Sequence, residues 1–245
     1  MLKTERMDRV RAALRAQGLT QMIVCDPKSV WYLTGVAVEP YERLLALYLP
    51  TEGEPVLFLN RLFNVPEPPC RTVWHTDTDK PVAQIAEVVD AGRPLGIDKE
   101  WPAKFLIPLM ETHPGMQVVL SSDCVDDCRA CKDAEEQTLM REASRINDAV
   151  NEAAKHYIKV GMTEREVAEF IDAQFRAHGC EGPSFTTIVS FGANAADPHH
   201  EPDDTVLKEG DCVLFDMGCV KSRYCSDMTR TWFCGQPTEK QAAVH

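Results

Sequence analysis

The stretch from Gly210 to Thr231 limits the fold more than any other, because two short apolar, β-prone runs there each carry an acid. Cys212 to Phe215 form a strand-like run that ends in Asp216, Gly218 permits a turn, and a second strand-like stretch from Tyr224 carries Asp227. Asp is a poor strand former, and a carboxylate is costly to bury unless it is paired or bound to a cation. Two acids on neighbouring strands, eleven residues apart, therefore point to a divalent metal. The competing reading has Asp216 merely ending a strand and Asp227 opening a turn.

Upstream, the pattern divides into two parts. Met7, Val10 and Leu14 recur at helical spacing before Gly18, which predicts a helix over residues 4 to 17, and Gln21 to Cys25 reads as a strand. After an Asp26-Pro27 turn comes Val30-Trp31-Tyr32-Leu33-Thr34-Gly35, an aromatic core segment ended by glycine. Leu44 to Leu49 and Pro55 to Leu59 form a hairpin by pattern. Strands follow at 71–75, 94–97 and 117–120, separated by helical stretches at 81–89 and 103–110. Strands alternating with helices make an α/β domain of residues 1–122. His75 and His113 have no acidic or thiol neighbours at ligand spacing and read as surface or packing residues.

The second part opens on a long helix, about 134 to 159, whose stripe is Leu139, Ala143, Ile146, Val150, Ala153 and Tyr157. Thr163-Glu164-Arg165-Glu166 is a capping box. It starts another helix that buries Val167, Ile171 and Phe175 and stops at Gly179. Ser184 to Ser190 is strand-like and leads into Asn194-Ala195-Ala196-Asp197-Pro198-His199-His200.

A formal net charge of -12 argues against nucleic acid or an anionic membrane as partner, since both call for basic faces. No apolar run reaches the ~20 residues of a membrane span, and the charged start lacks a signal-peptide core. A cytoplasmic enzyme is expected. Ten cysteines then read mostly as reduced, half-buried thiols. Cys124, Cys128 and Cys131 have a spacing that can hold an iron–sulfur cluster, but the same spacing puts thiols on one helix face, the reading preferred here.

Gly210-Asp211-x-Val213-Leu214-x-Asp216-x-Gly218, followed by Tyr224-x-Ser226-Asp227-x-Thr229-Arg230-Thr231, resembles the pita-bread metallopeptidases. That is the family of prolidase, aminopeptidase P and methionine aminopeptidase, and the prolidase-like branch is the most similar. Tyr32-Leu33-Thr34-Gly35 is similar to a stretch of the branch's N-terminal domain, and Arg129-x-x-Lys132-x-x-x-Glu136 to its linker. The resemblance implies a creatinase/prolidase-like α/β domain over 1–122 and a linker at 123–133. Residues 134–245 would be the first half of an α+β pita-bread domain.

By the same resemblance, Asp216 binds one divalent ion and Asp227 bridges two, with Mn, Co or Zn suited to oxygen and imidazole ligands. His199, after Pro198 and 17 residues before Asp216, matches the family's active-site histidine. It would stabilise the charge that develops on the scissile carbonyl. His200 and Trp31 are kept as candidate substrate contacts. The implied activity is hydrolysis of the Xaa-Pro bond of dipeptides or short peptides by a homodimer whose N-terminal domains help close the partner's site. Alternatives on the same fold are a metal-dependent hydrolase or lyase for another small substrate, and a non-catalytic pseudopeptidase that serves as a binding module.

The family's three downstream ligands, a histidine and two glutamates, have no counterpart here. Thr238-Glu239-Lys240-Gln241 opens a helix that has less than two turns before His245. The expectation is a chain cut within an element, inactive alone because two carboxylates hold an ion only weakly.

Overall fold

The computed structural model describes residues 2–245, which separate into two compact units, 2–131 and 132–245. The first unit runs α1 (Thr4–Ala16), β1 (Gln21–Val24), α2 (Pro27–Thr34), β2 (Ala46–Pro50), β3 (Val56–Asn60), β4 (Arg71–His75), α3 (Pro81–Ala86), β5 (Leu95–Ile97), α4 (Ala103–Thr112), β6 (Val118–Leu120) and α5 (Asp123–Ala130). Its six strands form one sheet in the order β4-β3-β2-β1-β5-β6. The β1–β2 and β2–β3 pairs are antiparallel and the rest parallel.

Alternation along the strands explains the layers, since successive side chains leave a strand on opposite faces. Met22 and Val24 of β1 join Leu47, Leu49, Leu57 and Leu59 under Met7, Val10 and Leu14 of α1 and Val30 and Leu33 of α2. Ile23, Ala46 and Phe58 face the other way, against Ile85 of α3 and Leu109 of α4. Helices thus cover both faces of the sheet, as the βα alternation requires.

Two local expectations are corrected here. Asp26-Pro27 does not form a free turn: Asp26 is the N-cap of α2 and Pro27 its first residue, with Ser29 N–H donating to Asp26 Oδ2 at 2.9 Å. Gly35, at φ 75°, ends that helix in the left-handed conformation. The segment 123–133, read as a linker after a domain ending at 122, instead holds α5. Its Cys124 and Val125 are buried in the first unit's core, which extends the unit to Cys131. Of the residues quoted for the linker, Arg129 lies on α5 and donates to Asp26 Oδ2 at 3.1 Å, while Glu136 is buried at the start of the next helix. His75 is buried, within 3.1 Å of the Leu44 carbonyl, so it packs rather than binds.

The second unit runs α6 (Ala134–Tyr157), α7 (Glu164–Ala177), β7 (Gly182–Pro183), β8 (Ile188–Phe191), a short 3-10 turn at Gly192–Ala196, β9 (Cys212–Met217), β10 (Cys219–Lys221), β11 (Tyr224–Cys225), β12 (Met228–Phe233) and α8 (Glu239–Val244). Two three-stranded sheets form, β12-β9-β8 and β11-β10-β7. Both long helices open on complete capping boxes, Asp133 with Glu136 and Thr163 with Glu166. The core joins Ala143, Val150 and Ala154 of α6 and Val167, Ile171 and Phe175 of α7 to Val189, Val213, Phe215 and Met217 of the sheet. Ala154, not Ala153, lies on the buried stripe. Asn147, unremarked in the sequence, is buried there because its Nδ2 donates to the Met217 carbonyl at 2.9 Å. Among the described residues no helix is long and apolar enough to cross a membrane.

Candidate metal centre

Strand β9 has two different faces. Val213, Phe215 and Met217 are buried beneath α6 and α7, while Cys212, Leu214 and Asp216 alternate with them on a half-exposed face. Asp216 therefore ends up on the uncovered side of the sheet, where a carboxylate keeps part of its hydration. Across the antiparallel pair it faces Thr229 of β12, whose hydroxyl donates to Asp216 Oδ1 at 2.8 Å.

Asp227 lies two residues before Thr229, immediately ahead of β12, and is exposed. Carried one step past the ladder, the period-two alternation puts it on the same side as Thr229 and Asp216. Such diagonal cross-strand positions are ~7–8 Å apart at Cα and within reach of longer side chains. Apart from the Thr229 contact, neither carboxylate has a hydrogen bond or ion pair among the described residues. Oxygen donors with free lone pairs on one face suit a hard or borderline divalent cation, so this pair fits the metal that its residues suggest.

The chain reaches β9 through residues 191–211, which carry both candidate histidines, and the two differ sharply. His199 is exposed; its backbone N–H donates to Asp197 Oδ1 at 2.9 Å and its ring is uncommitted. His200 Nε2 lies 2.6 Å from Glu164 Oε2, with 15% of its side chain exposed and none of the glutamate's. Its Nε2 is thus committed to a buried carboxylate. Trp31 is half-buried on α2 of the other unit.

Glu164 was not singled out in the sequence beyond its place in a capping box. Among the described residues, Glu164, His200 and Asp203 form the one group of three potential ligands whose donor atoms lie within 4.8 Å of one another. His199, Asp216 and Asp227 do not form such a group. The Glu164 cluster is nevertheless poorly suited to a cation. Its carboxylate already accepts from Phe191 N at 2.7 Å, Asn194 Nδ2 at 3.0 Å and Asp203 N at 3.2 Å, and those hydrogens would point at any ion placed there. It is a hydrogen-bond hub, and the open donor set is the aspartate pair.

The cysteine triad fares no better as a metal site. Cys124 is buried, Cys128 half-buried and Cys131 exposed, the first two on α5. Burial pushes the Cys124 thiol up to about 11, so it stays protonated at neutral pH and is a weak ligand.

Comparisons with known proteins give the chain's family. The model of metallopeptidase family M24 matches residues 138–245, and that of the creatinase/prolidase N-terminal domain matches residues 6–131. An uncharacterized peptidase of Staphylococcus aureus is 33% identical over 233 residues, covering 91% of this chain and 64% of its own length. One of Staphylococcus epidermidis is 30% identical over 240 residues, covering 96% and 68%. The chain thus spans just under two thirds of the length of the first relative. Among solved structures, a prolidase from Thermococcus sibiricus superposes with a TM-score of 0.89 at 29% identity, over 100% of this chain and 69% of that one. A dipeptidase from Mycobacterium ulcerans gives 0.89 at 30%, over 98% and 67%. The chain belongs to metallopeptidase family M24, with a creatinase/prolidase N-terminal domain ahead of its M24 segment.

Proposed function

We propose that the protein carrying this chain is a metal-dependent peptidase that hydrolyses the bond before proline in dipeptides or short peptides. The observation that carries this reading is Asp216 on the half-exposed face of β9, with the exposed Asp227 two residues before its cross-strand partner Thr229. Membership of metallopeptidase family M24 supports peptide hydrolysis as the reaction. The preference for proline rests on the description of the similar Thermococcus sibiricus structure as a prolidase.

In this reading Asp216 and Asp227 would hold two divalent ions, Mn, Co or Zn. When bound, the ions supply Lewis acidity: a water activated near neutral pH and a polarised scissile carbonyl. Thr229 orients Asp216 by donating to one oxygen and leaving the other free. His199, exposed and unpartnered, offers a ring N–H to the carbonyl oxygen as negative charge builds on it. A homodimer in the cytoplasm, with a peptide as its only partner besides its own copy, completes the proposal. No observation favours the lyase or binding-module alternatives over it.

The test is hydrolysis of matched peptides, Xaa-Pro against Xaa-Ala, by the full-length protein with Mn, Co or Zn added in turn. The expected result is metal-dependent cleavage with the proline substrate preferred. Cleavage that survives chelation would remove the metal reading, and equal rates on both substrates would remove the proline preference.

A further inference from the structure

The fully buried Glu164 poses a question that the proposed chemistry does not answer. A carboxylate taken out of water costs several kcal/mol unless donors replace the lost hydration. Here four donors do so, and all come from one stretch of chain. Phe191 N and Asn194 Nδ2 donate to Oε1, and His200 Nε2 and Asp203 N to Oε2. With the carboxylate ionised, the 2.6 Å contact requires the proton to sit on His200 Nε2.

The backbone strengthens the arrangement. Glu164 N–H donates to the Thr205 carbonyl at 3.1 Å, Arg165 N–H donates to that of Asp203 at 3.1 Å, and Thr163 forms a β-bridge with Val206. The segment 191–206 is therefore fastened at its start, middle and end to the first turn of α7. His199 lies inside that span, one residue before the anchored ring and one after Pro198, whose φ is fixed by its own ring.

We propose that Glu164, acting through His200, is a positioning group for His199. The Glu164–His200 contact fixes the peptide that joins the two histidines, so His199 is held outward with its imidazole free. Without the contact, residues 197–202 keep their place in the chain but lose the attachment nearest the reacting ring. Neither Glu164 nor His200 touches the substrate in this account. The proposal rests on the assignment of His199 made above, and it concerns turnover rather than binding.

The test uses the full-length enzyme and four variants: His199→Ala, His200→Ala, His200→Gln and Glu164→Gln. His200→Ala should lower kcat about tenfold while KM stays within about twofold and bound metal is unchanged, as expected for loosening one transition-state contact. His200→Gln, whose side-chain N–H can reach Glu164 as Nε2 does, should recover most of that loss. Glu164→Gln keeps the volume but turns an NH2 towards donors, and it should behave like His200→Ala.

Hydrogen exchange across residues 192–204 gives a second readout that needs no substrate; it should quicken in His200→Ala and Glu164→Gln and return towards the wild-type rate in His200→Gln. Thermal stability reduced in His200→Ala, with kcat at the wild-type value, would make the contact merely structural and overturn the proposal. Unchanged exchange in both variants would do the same. Wild-type turnover in His199→Ala would instead show that the assignment beneath it is wrong, an outcome distinct from either.

Discussion

At the scale of single residues, the chemistry of each side chain here is decided by what else competes for it. Asp216 remains available because β9 turns it away from the helices, and Asp227, just ahead of β12, is exposed. His200 and Glu164 are unavailable because each satisfies the other. The thiols follow the same logic. Desolvation pushes Cys70 and Cys124 up to about 11 and Cys180 up to about 12, whereas Cys131 and Cys225 are exposed. Because the thiolate is the reactive form, a disulfide reagent at about pH 8 should label Cys131 and Cys225 in a fast phase and the others slowly. Peptide mapping of the fast phase checks this; Cys124 among the first labelled would show that α5 is not packed as described.

At the scale of elements, tight passages between strands set the stability of the second unit. Gly218 joins β9 to β10, and a methyl group there would overlap the Ser226 carbonyl oxygen and Ser184 Oγ, which are themselves hydrogen-bonded at 2.7 Å. Gly218→Ala should therefore lower unfolding free energy by about 1–3 kcal/mol, the usual cost of overpacking, as read by urea denaturation. An unchanged midpoint would mean that the turn can shift.

The cap of α7 gives a pH-dependent counterpart. Glu166 is held below its ordinary 4.5 by the Thr163 N–H first and then by the Thr163 hydroxyl. A carboxyl lowered in the folded state adds stability that is complete above its unfolded value and is lost as pH falls through the lowered one. Thermal unfolding of Glu166→Gln should differ from wild type at neutral pH and converge with it well below about pH 4.5. A gap that persists in acid would point to packing instead.

These elements also show what the sequence could and could not reveal. The helix over 4–17, the hairpin at 44–59, the strand at 71–75 and the capping boxes at Thr163 and Thr238 are local signals, written in spacing and turn chemistry, and the structure has them. The strand read at 184–190 is in fact confined to Ile188–Phe191, because residues 184–187 belong to no ladder: Ser184 bonds to the Gly218 and Ser226 carbonyls and the Thr187 hydroxyl to Asp172. Helix α5 was read as a linker because its burial depends on α1 and α2, more than ninety residues earlier in the chain. Asp216 was legible as an acid set into a strand, where it needs a reason to be; Asp227, expected on a strand from Tyr224, lies instead in the gap between β11 and β12. Glu164 was not, since its four donors lie 27 to 39 residues downstream and nothing local distinguishes it from a helix-start glutamate.

At the scale of the whole molecule, each unit has its own core, and the first has apolar layers on both faces of a six-stranded sheet. A segment with a closed core of that kind should fold without its neighbour. Residues 1–131 expressed alone should give a single cooperative thermal transition by circular dichroism, and a broad non-cooperative melt would show that the core needs the rest of the chain. The central claim, however, concerns the second unit and its aspartate pair. Its most direct measurement is the metal content of the full-length protein, wild type against Asp227→Asn, determined after equilibration with Mn and paired with the rate of Xaa-Pro hydrolysis. The account predicts about two ions per chain in wild type, fewer in the variant, and a loss of hydrolysis of at least ~10²-fold. Equal metal content and equal rates in the two proteins would contradict it.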